Sequence, residues 1–242
     1  MSHFPRRVPS RGLSFFAALV LAVALAAGLR AQDAAPAAAP GARAGRAGRG
    51  FSGPPVARSG LRLPEIQLHD PWMLADASTR TYYLYSAASA GRTGQGRTGT
   101  LYYKSRDLAT WEGPFIAFVC PADSWADPRQ GAWAPEVHAY KGRYYLFTPL
   151  NNPQKPLRTL MPSRPKRSRG TTSAASDSPE GPFTLLKKDS PVTPSDFMTL
   201  DGTFYVAPDG RPWMVYAHEW IQKVDGTIEA IPLRDDLSDA AG

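Results

Sequence analysis

Cysteine is all but missing from this chain. Cys120 is the only one among 242 residues, so no intramolecular disulfide and no cysteine-based metal cluster can form. Any fold must therefore be held by its core. Long apolar runs are equally scarce, and after residues 13–29 none is long and apolar enough to cross a bilayer. Histidine occurs four times, never at the H-x-x-x-H spacing that places two ligands on one helical face. From residue 61 onward a sustained 3.6-residue periodicity is lacking, which argues against a helical domain.

An excess of one charge sign is also missing where it would matter. The formal net charge is +7, but residues 1–60 hold eight Arg against one Asp, and residues 61–242 hold twenty cationic and twenty acidic side chains. The domain is neutral, which removes nucleic acid as its expected partner. One basic loop remains, KPLRTLMPSRPKRSR at 155–169, with six cations and three prolines. It reads as a solvated insertion, an anionic-partner site being the alternative.

At the start of the chain, Arg6, Arg7 and Arg11 precede the apolar run, and small residues follow it near Ala31. This is the layout of a secretory signal peptide over residues 1–31. A signal anchor is the alternative, since about 17 apolar residues sit at the lower limit of a membrane span. Residues 32–60 are rich in Ala, Gly, Pro and Arg and are expected to be a disordered linker. The folded domain is expected over 61–242, secreted or periplasmic, with no membrane contact beyond export.

Short runs of Tyr, Phe, Trp and Val separated by Gly, Asp, Asn and Pro fill that domain, a pattern of short strands in an all-β fold. The runs repeat. TYYLYSA from Thr81, RYYLFTP from Arg143 and RPWMVYA from Arg211 begin 62 and then 68 residues apart. Two of them lead into a Ser/Asp turn followed by Gly-Pro-Phe, in LYYKSRDLATWEGPF and TTSAASDSPEGPFTLL, and IEAIPLRDDLS opens the same element a third time. Antiparallel units of this period are expected to be β-propeller blades, about three of them. Because propellers close with at least four blades, a continuation beyond Gly242 is expected.

One acidic residue stands ahead of each aromatic strand: Asp70, Glu136 and Asp201, spaced 66 and 65 residues apart. If the blades are equivalent, the three carboxylates gather around one axial pocket. Like charges so placed raise one another's pKa values. Glycoside hydrolysis uses such a set, with one carboxylate activating water and one carboxylic acid protonating the leaving oxygen. Trp72 and Trp133 would offer flat faces to a sugar ring. An isolated Asp-Pro is common at turns, so it is the repetition that carries the catalytic reading of Asp70 and Asp201. The paired tyrosines are expected to be core, one ring per sheet face.

These motifs also carry a resemblance. His69-Asp70-Pro71-Trp72, Trp133-Ala134-Pro135-Glu136-Val137-His138 and Leu200-Asp201-Gly202-Thr203, each ahead of its strand, resemble successive blade motifs of glycoside hydrolase family 43 over about residues 66–238. The resemblance implies a five-bladed propeller and an inverting hydrolase of plant-wall arabinan, arabinoxylan or xylan. It implies Asp70 as general base and Asp201 as the residue that tunes the acid. The general acid is expected on a later blade, beyond residue 242. Glu136 is read as pocket lining or as structural support, and His218 and Glu219 as substrate contacts, Glu219 having the general acid as its alternative role.

No cofactor is required by this chemistry. His69, His138 and His218 flank the acids, and a structural calcium ion at the ring centre, as in some members of that family, is left open. The expected partner is a plant-wall oligo- or polysaccharide, and no oligomeric state is assigned. Two other readings remain: a carbohydrate-binding propeller without catalysis, and a propeller serving protein partners. The second lacks the WD and Gly-His repeat signatures.

Overall fold

The computed structural model of the protein describes residues 53–157 and 166–242. The expected signal peptide, most of the expected linker and the middle of the basic loop lie outside the described residues. What is described is nearly all β, in three antiparallel sheets.

The first sheet contains β1 (Arg58–Leu61), β2 (Trp72–Asp76), β3 (Thr81–Ala88), β4 (Gly99–Ser105) and β5 (Trp111–Val119), in the order β1-β5-β4-β3-β2. The second runs β6-β7-β8-β9, from β6 (Glu136–Tyr140), β7 (Arg143–Pro156), β8 (Arg167–Ser176) and β9 (Thr184–Leu185). The third is β10 (Thr199–Val206), β11 (Pro212–His218) and β12 (Thr227–Pro232). Apart from β1, which adds to the far edge of the first sheet, each sheet is a meander opening on the strand that follows one of the three acids or contains it. The aromatic repeats are β3, β7 and β11, the second strand of each blade.

Alternation along the strands explains how the blades stack. On β3, Tyr83 and Tyr85 enter a core shared with Val137, Leu146, Leu150, Phe183 and Leu185 of the second sheet, while Leu84 faces the other way, onto Leu61, Tyr103 and Trp111. On β7, Leu146 faces the first sheet, and Tyr145 and Phe147 face Met214, Tyr216, Leu233 and Leu237 of the third. A period of two thus sends neighbouring rings into different cores. Phe147 and Phe204 stack across the second interface with centroids 5.8 Å apart. Tyr85 and Tyr102 add hydrogen bonds across the first, to the Pro179 carbonyl at 2.6 Å and to Glu180 Oε2 at 2.8 Å.

Two boundaries differ from expectation. β1 starts at Arg58, inside the segment expected to be linker, and pairs with β5 through Arg58↔Gly113 and Leu61↔Trp111. An edge strand is held by backbone hydrogen bonds and here buries only Leu61, so composition does not reveal it. The basic loop is likewise not all solvated: β7 runs through Pro156 and β8 begins at Arg167, and Ser168 and Gly170 are buried on either side of half-buried Arg169.

Candidate active site

The first strands of the blades bring their ends together. Trp72 of β2 donates Nε1–H to the Val137 carbonyl of β6 at 2.9 Å, and its ring lies 4.8 Å from that of His138. Trp72 therefore ties the first blade to the second.

Asp70 is presented by backbone geometry. The His69 carbonyl accepts from Ala87 N at 3.1 Å and from Ser86 Oγ at 3.0 Å, and His69 N donates back to Ser86 Oγ at 2.8 Å. With His69 pinned and Pro71 fixing the next φ, Asp70 takes a left-handed φ of 47°, a conformation that Asp tolerates better than most side chains. Its Oδ2 lies 3.0 Å from His69 Nδ1.

Asp201 is presented in a similar way by a bulge. The β10–β11 register shifts between Leu200 and Thr203, and Asp201 sits there at φ 52°. A Cβ on Gly202 would lie 2.8 Å from both Met214 Sδ and Thr171 Cγ2, and Gly202 N donates to Thr171 Oγ1 at 3.1 Å. The Leu-Asp-Gly motif is thus a bulge pressed against the neighbouring blade, with the Asp side chain thrown out of the ladder.

Glu136 opens β6, and its Oε2 lies 3.0 Å from His138 Nε2, two residues on and on the same face. Asp201 feels the other two acids. Burial pushes the Asp201 carboxyl above its ordinary value of 3.8, the charges of Asp70 and Glu136 push in the same direction, and the Arg169 guanidinium opposes them.

Arg169 was not singled out by sequence reasoning, which placed it at the end of the basic loop. Its Nη1 donates to Glu219 Oε1 and Oε2 at 2.8 and 2.9 Å. Its Nε reaches Asn151 Oδ1 at 3.4 Å, and its guanidinium carbon lies 4.9 Å over the Trp133 ring. Trp133 is held in turn by Thr148 Oγ1, which donates to its carbonyl at 2.8 Å. One cation therefore links a candidate sugar platform to a buried acid, and its charge favours the ionised Asp201 carboxyl. No spacing rule would have found it, because its acidic partner lies 50 residues downstream.

The other two named residues are engaged inside the protein. Glu219 is buried at 5% exposure and holds Arg169. His218 is buried, stacked on Phe197 at 4.2 Å, with Nδ1 3.1 Å from Glu229 Oε1 and Nε2 2.8 Å from Gln222 Oε1. Among the described residues no group of three or more His, Cys, Asp or Glu side chains is arranged to hold a metal ion.

Residues 64–242 match the family model described as glycosyl hydrolases family 43. Among solved structures the chain is similar to an endo-arabinase from Bacteroides thetaiotaomicron VPI-5482, with 35% identity and a TM-score of 0.62 over 76% of this chain and 57% of that one. A thermostable family-43 glycoside hydrolase shares the fold at 22% identity and a TM-score of 0.54, over 78% of this chain and 53% of its own. So does an endo-1,4-beta-xylanase from the same Bacteroides, at 21% and 0.51, over 72% and 49%. The chain thus spans between 49% and 57% of the length of these three structures. A comparison with curated proteins found no match.

Proposed function

The chain belongs to glycosyl hydrolase family 43, and from that premise we propose that it serves an exported, inverting glycosidase acting on arabinan, arabinoxylan or xylan of plant walls. The observation that supports the proposal is the placement of Asp70, Glu136 and Asp201 at the first strands of three adjacent blades, with the charges of Asp70 and Glu136 adding to burial in raising the Asp201 carboxyl.

In this reading Asp70 is the general base. It takes a proton from the water that attacks the anomeric carbon on the face opposite the leaving group, so the configuration inverts in one displacement. Asp201 tunes the reaction. Its ionisation is resisted by burial and by the charges of Asp70 and Glu136, and a carboxyl in such surroundings suits the role of adjusting the proton affinity of a neighbouring acid. Trp133, its face set by Arg169, is the sugar platform. Glu219 is assigned to positioning, since both of its oxygens accept from Arg169.

Asp70→Asn in the full-length protein tests this. The side chains are nearly isosteric and Asn tolerates the φ of 47°, so fold and sugar binding should persist while turnover falls by about 10²- to 10⁴-fold. Release of reducing sugar and circular dichroism give the two readouts. Turnover within a few-fold of the parent removes Asp70 as the base.

A further inference from the structure

Beside the carboxylate cluster a cavity of about 450 Å³ opens between the first and second blades, within the usual size range of small-molecule sites. It is continuous with the candidate active site: His69, 3.0 Å from the Asp70 carboxylate, and Trp133, stacked under Arg169, both line it. Its other polar side chains include Gln67, Arg92, Arg129 and Gln130, and no Asp or Glu is among its lining residues. The lining side chains thus carry net positive charge, with one acid, Asp127, paired to Arg129 at the edge.

Both guanidinium groups are anchored. Arg92 donates from Nη2 to the Gln67 carbonyl at 2.9 Å and from Nη1 to the Ala87 carbonyl at 3.3 Å, bonds to neutral acceptors that leave its charge uncompensated. Arg129 is placed by its own turn, where Asp127 Oδ1 accepts from Arg129 N at 2.9 Å and from Nε at 3.4 Å, an ion pair that offsets part of its charge. The carboxylate of Asp127 is mostly buried in that turn, while the Arg129 side chain is 76% exposed, so the end of the guanidinium faces solvent. An arrangement of two cations, two amides and one indole face suits a sugar that carries a carboxylate.

We propose that this cavity is a subsite for a uronic-acid unit, its carboxylate taken by Arg92 and Arg129 and its ring lying along Trp133, on the same oligosaccharide whose scissile bond lies at Asp70. This rests on the glycosidase reading above and extends it to a preference for acidic plant-wall glycans.

The test is isothermal titration calorimetry of the full-length Asp70→Asn protein with three probes at low ionic strength: a xylo-oligosaccharide bearing glucuronic acid, the same compound after carboxyl reduction, and polyglutamate. The acidic oligosaccharide should bind about five-fold tighter than its reduced form, the scale expected of partly exposed ion pairs. Arg129→Met should abolish that preference, Arg129→Lys should keep part of it, and polyglutamate should not compete. Equal affinity for the two oligosaccharides overturns the subsite and leaves the glycosidase reading standing. A preference that survives in Arg129→Met, or competition by polyglutamate, also overturns it. Absence of binding by either oligosaccharide sinks the carbohydrate reading and the subsite with it.

Discussion

Replacing Glu219 with glutamine removes one charge from a pair whose partners are largely out of water, the side chains being 4% exposed for Glu219 and 20% for Arg169. Breaking a fully buried pair from one side costs about 3–5 kcal/mol, because the remaining charge is left without compensation. Two features lower that figure here. The amide oxygen of Gln still accepts one hydrogen bond from Nη1, and Arg169 keeps Asn151 and the face of Trp133. The expected loss is therefore about 2–3 kcal/mol. With a urea slope of about 2 kcal/mol/M for a domain of this size, the unfolding midpoint should fall by about 1–1.5 M. Arg169→Met should cost a similar amount by stranding Glu219, and the double variant should be little worse than either single one, a coupling of about 2 kcal/mol. Tryptophan fluorescence in urea measures all four proteins. Additive losses, or a Glu219→Gln protein within about 0.5 kcal/mol of the parent, would refute the positioning role. Turnover lost with stability unchanged would make Glu219 a reacting group instead.

Asp201→Asn gives a pH-dependent prediction. The folded-state pKa of Asp201 is raised above 3.8, so the folded state binds this proton more tightly than the unfolded chain does. Its contribution to stability is full below the unfolded value and is lost as pH rises through the folded one. The uncharged variant should therefore melt higher than the parent near neutral pH, with the gain fading as pH falls from the folded value toward 3.8 and absent below it; a gain independent of pH would contradict the assignment. Glu180→Ala should loosen the first interface, since Glu180 receives Tyr102 Oη at 2.8 Å and Lys104 Nζ at 3.1 Å. A loss of about 1–2 kcal/mol corresponds to a fall in Tm of about 2–8 °C, and an unchanged Tm would show that these bonds contribute nothing net.

The parts legible in the sequence were those that repeat. Tyr83/Tyr85, Tyr145/Phe147 and Met214/Tyr216 belong to equivalent strands, and their alternation announced sheets packed on both faces. Asp70, Glu136 and Asp201 were legible because one acid stands shortly ahead of each aromatic strand and the three recur at nearly equal spacing. Arg169 was not, because a cation in a run of six looks solvated until the fold places buried Glu219 against it. β1 was hidden for a different reason: a strand that buries one side chain and is otherwise held by backbone carries almost no compositional mark. The inward turn of His218 was equally silent, since Phe197, Gln222 and Glu229 surround it only once the third blade has formed.

The left-handed backbone at Asp70 and Asp201 also bears on how such a protein can change over evolutionary time. At a positive φ most side chains are strained, while Asn and Gly are admitted nearly as readily as Asp. An Asp codon becomes an Asn codon by a single base change. Drift at either position is thus steered toward a substitution that removes the carboxylate charge and disturbs the chain least. A lineage of this kind can pass from an enzyme that cuts a polysaccharide to a lectin-like protein that only holds one, without passing through an unfolded ancestor.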